Sequence, residues 1–235
     1  RPGTYNVLIE GRVSQTTPGD YIVNVQPVQD ADPVDLELGM RTEGAIAVPG
    51  EVDRYRFTLA EDSRLYFDSF TRDSQLTWTL EGPAGVVIPA RRFDIDGIDV
   101  ADPILSLIAG DYSLSVKAAG DRTPTYAFRL NQLSDGKVID YDVLFESEVQ
   151  TGNETQILQF TAEAGDRIRF EPGLVIGLSN AWWRLVGPHN TPVFSTQVNS
   201  SSGPHTLTRP GVHTLLLEGR INGTEGGFYQ ATLIR

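Results

Sequence analysis

The sequence contains no cysteine, one methionine and three histidines in 235 residues. The lack of cysteine excludes a disulfide framework, a thiolate metal site and a cysteine nucleophile. Basic residues are also few, since 19 Lys and Arg stand against 31 Asp and Glu and give a net charge of −12. Phosphate neutralisation needs clustered cations, and the longest basic run is Arg91-Arg92. We therefore expect no nucleic-acid partner and no binding to an anionic membrane surface.

Long hydrophobic runs are missing as well. No apolar run approaches the roughly 18 residues that span a membrane, so we predict no membrane insertion. The first residues, Arg1-Pro2-Gly3-Thr4-Tyr5, lack the apolar core of a signal peptide, which is typical of a mature or excised segment. Hydrophobic residues nevertheless make up 40% of the chain, enough to build folded cores.

The chain repeats itself about every 100 residues. Residues 1–27 align without a gap with residues 209–235, and ten of these positions are identical. A third copy of the same pattern begins at Ala109-Gly110-Asp111-Tyr112. We therefore divide the chain into the C-terminal third of a preceding repeat (1–28) and two full repeats (36–133 and 137–235). A period of this length is the size of a small domain.

Within each repeat, apolar residues alternate with polar ones. Examples are Tyr55, Phe57 and Leu59, and later Tyr112, Leu114 and Val116. Period two indicates strands with one buried face. Gly- and Pro-containing turn signals separate the strands about every ten residues. The predicted fold class is all-β, with tandem antiparallel β-sandwich modules of jelly-roll or Greek-key type.

Five short motifs in order carry a resemblance to a known family. They are Gly44 followed by Pro49-Gly50-Glu51-Val52-Asp53-Arg54-Tyr55-Arg56-Phe57, then Leu65-Tyr66-Phe67, then Leu76-Thr77-Trp78-Thr79-Leu80 with Gly82-Pro83-Ala84-Gly85, then Ala109-Gly110-Asp111-Tyr112, and finally Tyr126-Ala127-Phe128. Together they make most of residues 44–130 resemble the bacterial pre-peptidase C-terminal domain. The last repeat departs from the pattern, because Gln156 replaces Asp53 and Leu158 replaces Tyr55.

The resemblance implies a non-catalytic β-sandwich of the kind found at the ends of secreted proteases and in giant bacterial surface proteins. Some members of that family bind collagen or polysaccharide and use calcium at the segment that leads into the domain. We therefore expect a secreted or cell-surface bacterial protein.

No catalytic motif accompanies the repeats. The sequence has no G-x-S-x-G elbow, no H-E-x-x-H zinc motif and no phosphate-binding loop. His189, His205 and His213 have no partner at motif spacing, and His213 occupies the position of Tyr5 and Tyr112 in the other copies. We predict that the chain is not an enzyme.

Two acidic segments are candidate calcium sites. Calcium prefers six to eight oxygen ligands, which closely spaced carboxylates supply. The first segment is the loop 94–102, with Asp94, Asp96, Asp99 and Asp102 around Gly97; the second is the linker with Asp30, Asp32 and Asp35. The alternative interpretation is a solvated acidic loop and an acidic spacer in a chain of strongly negative charge.

Trp182 is the leading ligand-binding candidate. If Trp183 faces the core with Leu185, the alternation turns Trp182 and Arg184 outward. An outward Trp offers a stacking platform for a sugar ring or an anchor for a protein. The alternative is that a loop or a neighbouring module covers it.

These observations predict a structural or adhesive segment of a bacterial tandem-repeat protein. Its partners would be neighbouring repeats of the same protein, extracellular polysaccharide or surface proteins. The alternative is a carbohydrate- or protein-binding accessory module of an extracellular hydrolase. The strands predicted at Tyr5–Ile9 and Tyr21–Val25 need a partner, either the upstream part of their own repeat or another chain.

Overall fold

The computed structural model describes residues 3–23, 25 and 27–235. Half of the residues lie in strands and 4% in helices, and the strands form four sheets in which antiparallel pairing dominates. The all-β class predicted from the alternating pattern is confirmed.

Nine strands build the first pair of sheets, which we call the first sandwich. They are β1 (Val34–Asp35), β2 (Arg41–Ala45), β3 (Val52–Leu59), β4 (Ser63–Ser69), β5 (Leu76–Gly82), β6 (Gly85–Arg92), β7 (Ile104–Leu107), β8 (Gly110–Ala118) and β9 (Thr125–Gln132). One sheet has the order β1-β3-β8-β5-β6 and the other the order β2-β9-β4-β7. A short 3₁₀ helix, Gly97–Asp99, lies between β6 and β7.

Nine further strands build the second sandwich. They are β10 (Lys137–Val138), β11 (Leu144–Val149), β12 (Gln156–Ala162), β13 (Arg167–Ile176), β14 (Trp182–Val186), β15 (Pro192–Gln197), β16 (Ser202–Thr206), β17 (Gly211–Glu218) and β18 (Gly227–Ile234). Their sheets have the orders β10-β12-β17-β14-β15 and β11-β18-β13-β16, so each strand has a counterpart nine places earlier. Two 3₁₀ turns, Leu133–Asp135 and Pro188–Asn190, complete the regular structure.

Each sandwich has its own aromatic core between its two sheets. In the first, Trp78 is buried and Phe67 stacks on it with ring centroids 3.9 Å apart. In the second, Trp183 is buried against Phe170 and Tyr229. Because every second residue of these strands points inward, the alternation in the sequence becomes the two faces of each sheet.

One strand pair in each sandwich departs from the antiparallel pattern. The edge strands β1 and β10 pair in parallel with β3 and β12, respectively. Both edge strands are only two residues long, and such short strands leave little of an edge open for pairing with another chain.

The described residues among 3–28 lie outside both sandwiches. The described residues of this stretch form no strand, and apolar side chains such as Leu8, Val13 and Ile22 are exposed. Arg1, Pro2, Asn24 and Gln26, over which the predicted partial repeat also extends, lie outside the described residues. The strand predicted at Tyr5–Ile9 does not form in this structure, and the partner that would complete it stays a prediction.

Candidate functional site

The two sandwiches meet along an interface that we call the seam. The outer face of the β2-β9-β4-β7 sheet packs on the outer face of the β10-β12-β17-β14-β15 sheet. Six apolar residues from both sandwiches and the connection between them form a small core there: Tyr66, Ile104, Leu133, Ile157, Val186 and Leu216. One face of each seam sheet therefore packs on its own sandwich core, and the outer face packs on the other sandwich.

A buried ion pair lies beside this apolar core. Glu218 is fully buried, and its carboxylate accepts a hydrogen bond from Arg184 Nε at 2.9 Å and another from the Tyr66 hydroxyl at 3.0 Å. Arg184 Nη2 donates to the Gly97 carbonyl of the first sandwich at 3.1 Å. Burial raises the pKa of Glu218, and Arg184 opposes that rise. All four groups satisfy one another, so the charge pair ties the two sandwiches together.

Gly97 allows this close approach. A Cβ at residue 97 would overlap the Tyr66 hydroxyl and would lie 2.8 Å from Glu218 Oε1. Only a residue without a side chain fits between these two groups, so glycine here is required by packing.

A second charged group crosses the seam around Asp68. Arg129 Nη2 contacts Asp68 Oδ2 at 3.0 Å and Glu154 Oε1 at 3.2 Å, so one cation of the first sandwich joins a carboxylate from each side. Asp68 Oδ2 also accepts the backbone N–H of Thr155 at 3.0 Å. Burial raises the pKa of Asp68 to about 6, although Arg129 and Thr155 act in the opposite direction.

The connection between β6 and β7, residues 93–103, forms a strap across the seam. It begins with Phe93, which is buried in the first core. Asp96 then contacts Arg220 Nε at 3.1 Å and accepts the backbone N–H of Ile221, and Asp99 contacts Arg220 Nη1 at 3.4 Å. The carboxylates of Asp96 and Asp99 are thus directed at the second sandwich.

In this arrangement, all four aspartates of the loop predicted to bind calcium have partners within the protein. Asp94 pairs with Arg92 at 2.8 Å, Asp96 and Asp99 pair with Arg220, and Asp102 accepts the N–H of Ile104 at 3.3 Å. Within the described part of the chain, no group of three or more Asp, Glu or His side chains is arranged to hold a metal ion. Calcium binding by this loop stays a prediction, with Arg220 as the competing cation.

The acidic linker is also occupied by ion pairs. Asp30 binds Arg54 and accepts the N–H of Val52 at 3.2 Å, and Asp35 binds Arg56. Asp32 is exposed. The two arginine contacts lower the pKa values of Asp30 and Asp35. They fasten the linker to β3 of the first sandwich.

Trp182 and Arg184 lie on the outer face of β14, as the alternation predicts, but they have different surroundings. Arg184 is used by the buried pair with Glu218, whereas Trp182 is only partly buried. Trp182 lines a groove of about 430 Å³ at the edge of the seam. The other residues of this groove come from the strap and the second sandwich: Ile98, Asp99, Ser179, Asn180, Gln197, Arg220 and Asn222.

Sequence reasoning missed Glu218, Tyr66, Asp68 and Arg129. One signal was available, because Leu215-Leu216-Leu217 breaks the strict alternation of β17. An uninterrupted apolar run indicates a strand that is covered on both faces. All three leucines are buried, Leu215 and Leu217 in the second core and Leu216 in the seam.

The histidines have structural surroundings. His213 stacks on Phe160 with its Nδ1 3.1 Å from the Gly211 carbonyl, and burial lowers its pKa. His205 Nε2 lies 2.8 Å from Ser202 Oγ and its ring stacks on Phe194. Among the described residues, no carboxylate contacts the other ring nitrogen of His205, so a base-orienting third group is not in place there.

Comparison with known proteins gives fold-level likenesses. No protein-family model matches the chain, and no curated protein matches it.

Among the described residues, no helix is long and apolar enough to cross a membrane.

Three solved structures illustrate these likenesses. A periplasmic inhibitor of g-type lysozyme, PliG from Aeromonas hydrophila, is 15% identical with a TM-score of 0.35 and covers 42% of this chain and 94% of its own. The CUB1-EGF-CUB2 domains of rat MASP-1 are 8% identical with a TM-score of 0.29, covering 86% of this chain and 100% of theirs. The same domains of human MASP-1/3 are 10% identical with a TM-score of 0.23, covering 81% and 99%. These proteins are similar to this chain in β-sheet architecture only.

Proposed function

We propose that the chain is a non-catalytic structural or adhesive segment of a secreted or cell-surface bacterial protein built of tandem β-sandwich modules. The observation that carries this proposal is the seam, in which buried charges and an apolar core join two sandwiches. A joint of this kind holds a fixed angle between modules, as a spacer or a presenting scaffold requires.

The composition supports the same role. The chain has no cysteine and a net charge of −12, and a strongly charged surface of one sign favours solubility. The resemblance of residues 44–130 to the pre-peptidase C-terminal domain supports an extracellular bacterial setting.

A distance measurement between the two sandwiches tests the proposal. Because the chain has no cysteine, the changes Asp121→Cys and Ser201→Cys place one spin label on an exposed position of each sandwich. We expect a single narrow distance distribution by double electron–electron resonance. A broad distribution in the otherwise unchanged chain would overturn the rigid-scaffold function.

A second candidate function is a carbohydrate- or protein-binding accessory module of an extracellular hydrolase. The groove beside Trp182 favours it, because a partly exposed indole and several polar side chains converge there. Calorimetric titration with soluble polysaccharides separates the two functions: heat of binding that is lost in Trp182→Ala supports the accessory module, and no heat with either protein excludes binding of those polysaccharides.

A further inference from the structure

A second depression along the seam adjoins the Trp182 groove. This depression has a volume of about 340 Å³ and shares Asn222 with the Trp182 groove. It is lined by the first sandwich through Arg41, Phe70 and Arg72, and by the second through Thr151, Asn153, Ile221, Asn222, Gly223 and Thr224. We call the two depressions together the seam groove. Each part falls in the size range of small-molecule sites.

The Arg72 end of the seam groove is positive in a negative protein. No Asp or Glu lines this depression, although the chain as a whole has a net charge of −12. Arg72 is exposed and forms no ion pair within the described part of the chain. Arg41 stands over the Phe70 ring at 4.5 Å, and its carboxylate partner, Glu43, is itself largely exposed. Arg72 is therefore available to a carboxylate ligand, and Arg41 offers the terminal nitrogens that Glu43 does not bind.

The other end offers a stacking surface. Trp182 is partly exposed, whereas Trp78 and Trp183, the other two tryptophans, are buried. An indole presents a flat apolar face together with an N–H donor, a combination suited to the face of a sugar ring.

Amide side chains line both parts of the groove, Asn180 and Gln197 beside Trp182, Asn153 beside Arg72, and Asn222 in both. Asn180, Gln197, Asn153 and Asn222 form no side-chain hydrogen bond with any other described residue. Each amide has two donor hydrogens and an acceptor oxygen, which matches the alternating donor and acceptor character of neighbouring hydroxyl groups.

We propose that the seam groove binds an acidic oligosaccharide, with a sugar ring stacked on Trp182 and a uronate carboxylate held by Arg72 and Arg41. An acidic peptide fits less well, because the lining contains no row of apolar side-chain pockets for successive side chains. The amides and the single indole are suited instead to hydroxyl-rich rings.

This inference rests on the proposed function, because both sandwiches line the groove and it exists only while the seam is closed. It adds to that function the class of partner. The spin-label distance is therefore measured on every variant before titration, so that an open seam and a closed seam without affinity are distinguished.

The experiment is a titration of the full chain with trigalacturonate and with its fully methyl-esterified form, which has the same rings without the charges. Binding is measured by isothermal titration calorimetry, which serves every variant, and the fluorescence of the partly exposed Trp182 gives a second readout in the proteins that keep this residue. We expect saturable binding of the acid at least about tenfold tighter than of the ester, a free-energy difference of about 1.4 kcal/mol. Arg72→Gln should remove this preference, and Trp182→Ala should weaken binding of both forms about tenfold or more.

Two matched controls keep the result specific. Thr77→Ala changes the counterpart of Trp182 in the first sandwich, and Arg167→Gln removes an exposed arginine outside the groove. Both should bind as the parent does. The proposal is overturned if a closed-seam chain binds neither sugar, if acid and ester bind equally, or if tri-glutamate competes as well as trigalacturonate.

Discussion

The two sandwiches share one strand order but differ in the outer face of the same sheet. On β12, β14 and β17 of the second sandwich, Ile157, Val186 and Leu216 are apolar and covered by the first sandwich. The register of strand pairs places Arg54, Glu81 and Ser115 at the same positions of the first sandwich. Glu218 likewise corresponds to Lys117, which is exposed.

This difference shows what decides whether a module docks. The fold positions both outer faces in the same way. Burial of the apolar face of the second sandwich is favourable, whereas the corresponding face of the first sandwich carries polar and charged side chains that water solvates. The outer face of the first sandwich instead binds the acidic linker, through Arg54–Asp30 and Arg56–Asp35. These ion pairs are exposed, so they fasten the linker weakly compared with the seam.

The two sandwiches also differ in the length of one equivalent connection between strands. Residues 93–103 join β6 to β7 in the first sandwich, whereas residues 198–201 join their counterparts β15 and β16. The longer connection is the strap, and its Asp96 and Asp99 contact Arg220 of the second sandwich. The added length is used for docking.

Exchanging the charges at the two equivalent positions tests the comparison most severely. Glu218→Lys copies Lys117 and places two cations together at a fully buried point. We expect the free energy of unfolding to fall by about 3–5 kcal/mol, since breaking a buried pair leaves an uncompensated charge. Urea denaturation measures it. The reverse change, Lys117→Glu, should alter stability by less than about 0.5 kcal/mol; equal losses would refute the comparison.

Removing the apolar contact should have the next largest effect. Leu216→Ser gives the second sandwich the residue that the first has at Ser115. Leu216 is fully buried in the seam, so the lost burial and the resulting cavity should cost about 2–4 kcal/mol. The spin-label distance distribution should broaden as well. A variant as stable and as narrow as the parent would show that the seam contributes nothing.

Acid should strengthen the seam through Asp68. Because burial raises the folded-state pKa to about 6 from 3.8, this group contributes stability that is complete below about pH 3.8 and is lost as the pH rises through 6. Between pH 7 and pH 5, the parent should therefore gain about 1 kcal/mol relative to Asp68→Asn. Urea denaturation of both proteins at the two pH values measures this. Parallel pH profiles would contradict it.

Calcium should have the smallest effect. Since Arg92 and Arg220 already neutralise Asp94, Asp96 and Asp99, we expect the same melting temperature in EDTA and in millimolar calcium. The variant with these three residues changed to Asn should melt lower in both buffers. A calcium-dependent rise that is lost in that variant would establish the loop as a calcium site. A rise retained by it would place the ion at the linker.

Much of the fold followed from local pattern. Alternation indicated the strands and placed Trp183 inside and Trp182 outside, because the strand period fixes the two faces. The seam did not follow, since coverage of an outer face depends on a partner surface distant in the sequence. Asp96 and Arg220 illustrate this: the acidic loop is conspicuous in the sequence, but the cation that binds it lies more than a hundred residues away.

Amide hydrogen exchange tests the docked arrangement most directly. The backbone N–H groups of Thr155 and Ile221 belong to the second sandwich, and both donate to carboxylates of the first, Asp68 and Asp96. We predict that both amides are protected from exchange in the parent chain. In Leu216→Ser this protection should be lost, while the amide of Leu215 in the core of β17 stays protected. Unprotected exchange at Thr155 and Ile221 in the parent chain, with the strands of both sandwiches protected, would contradict it.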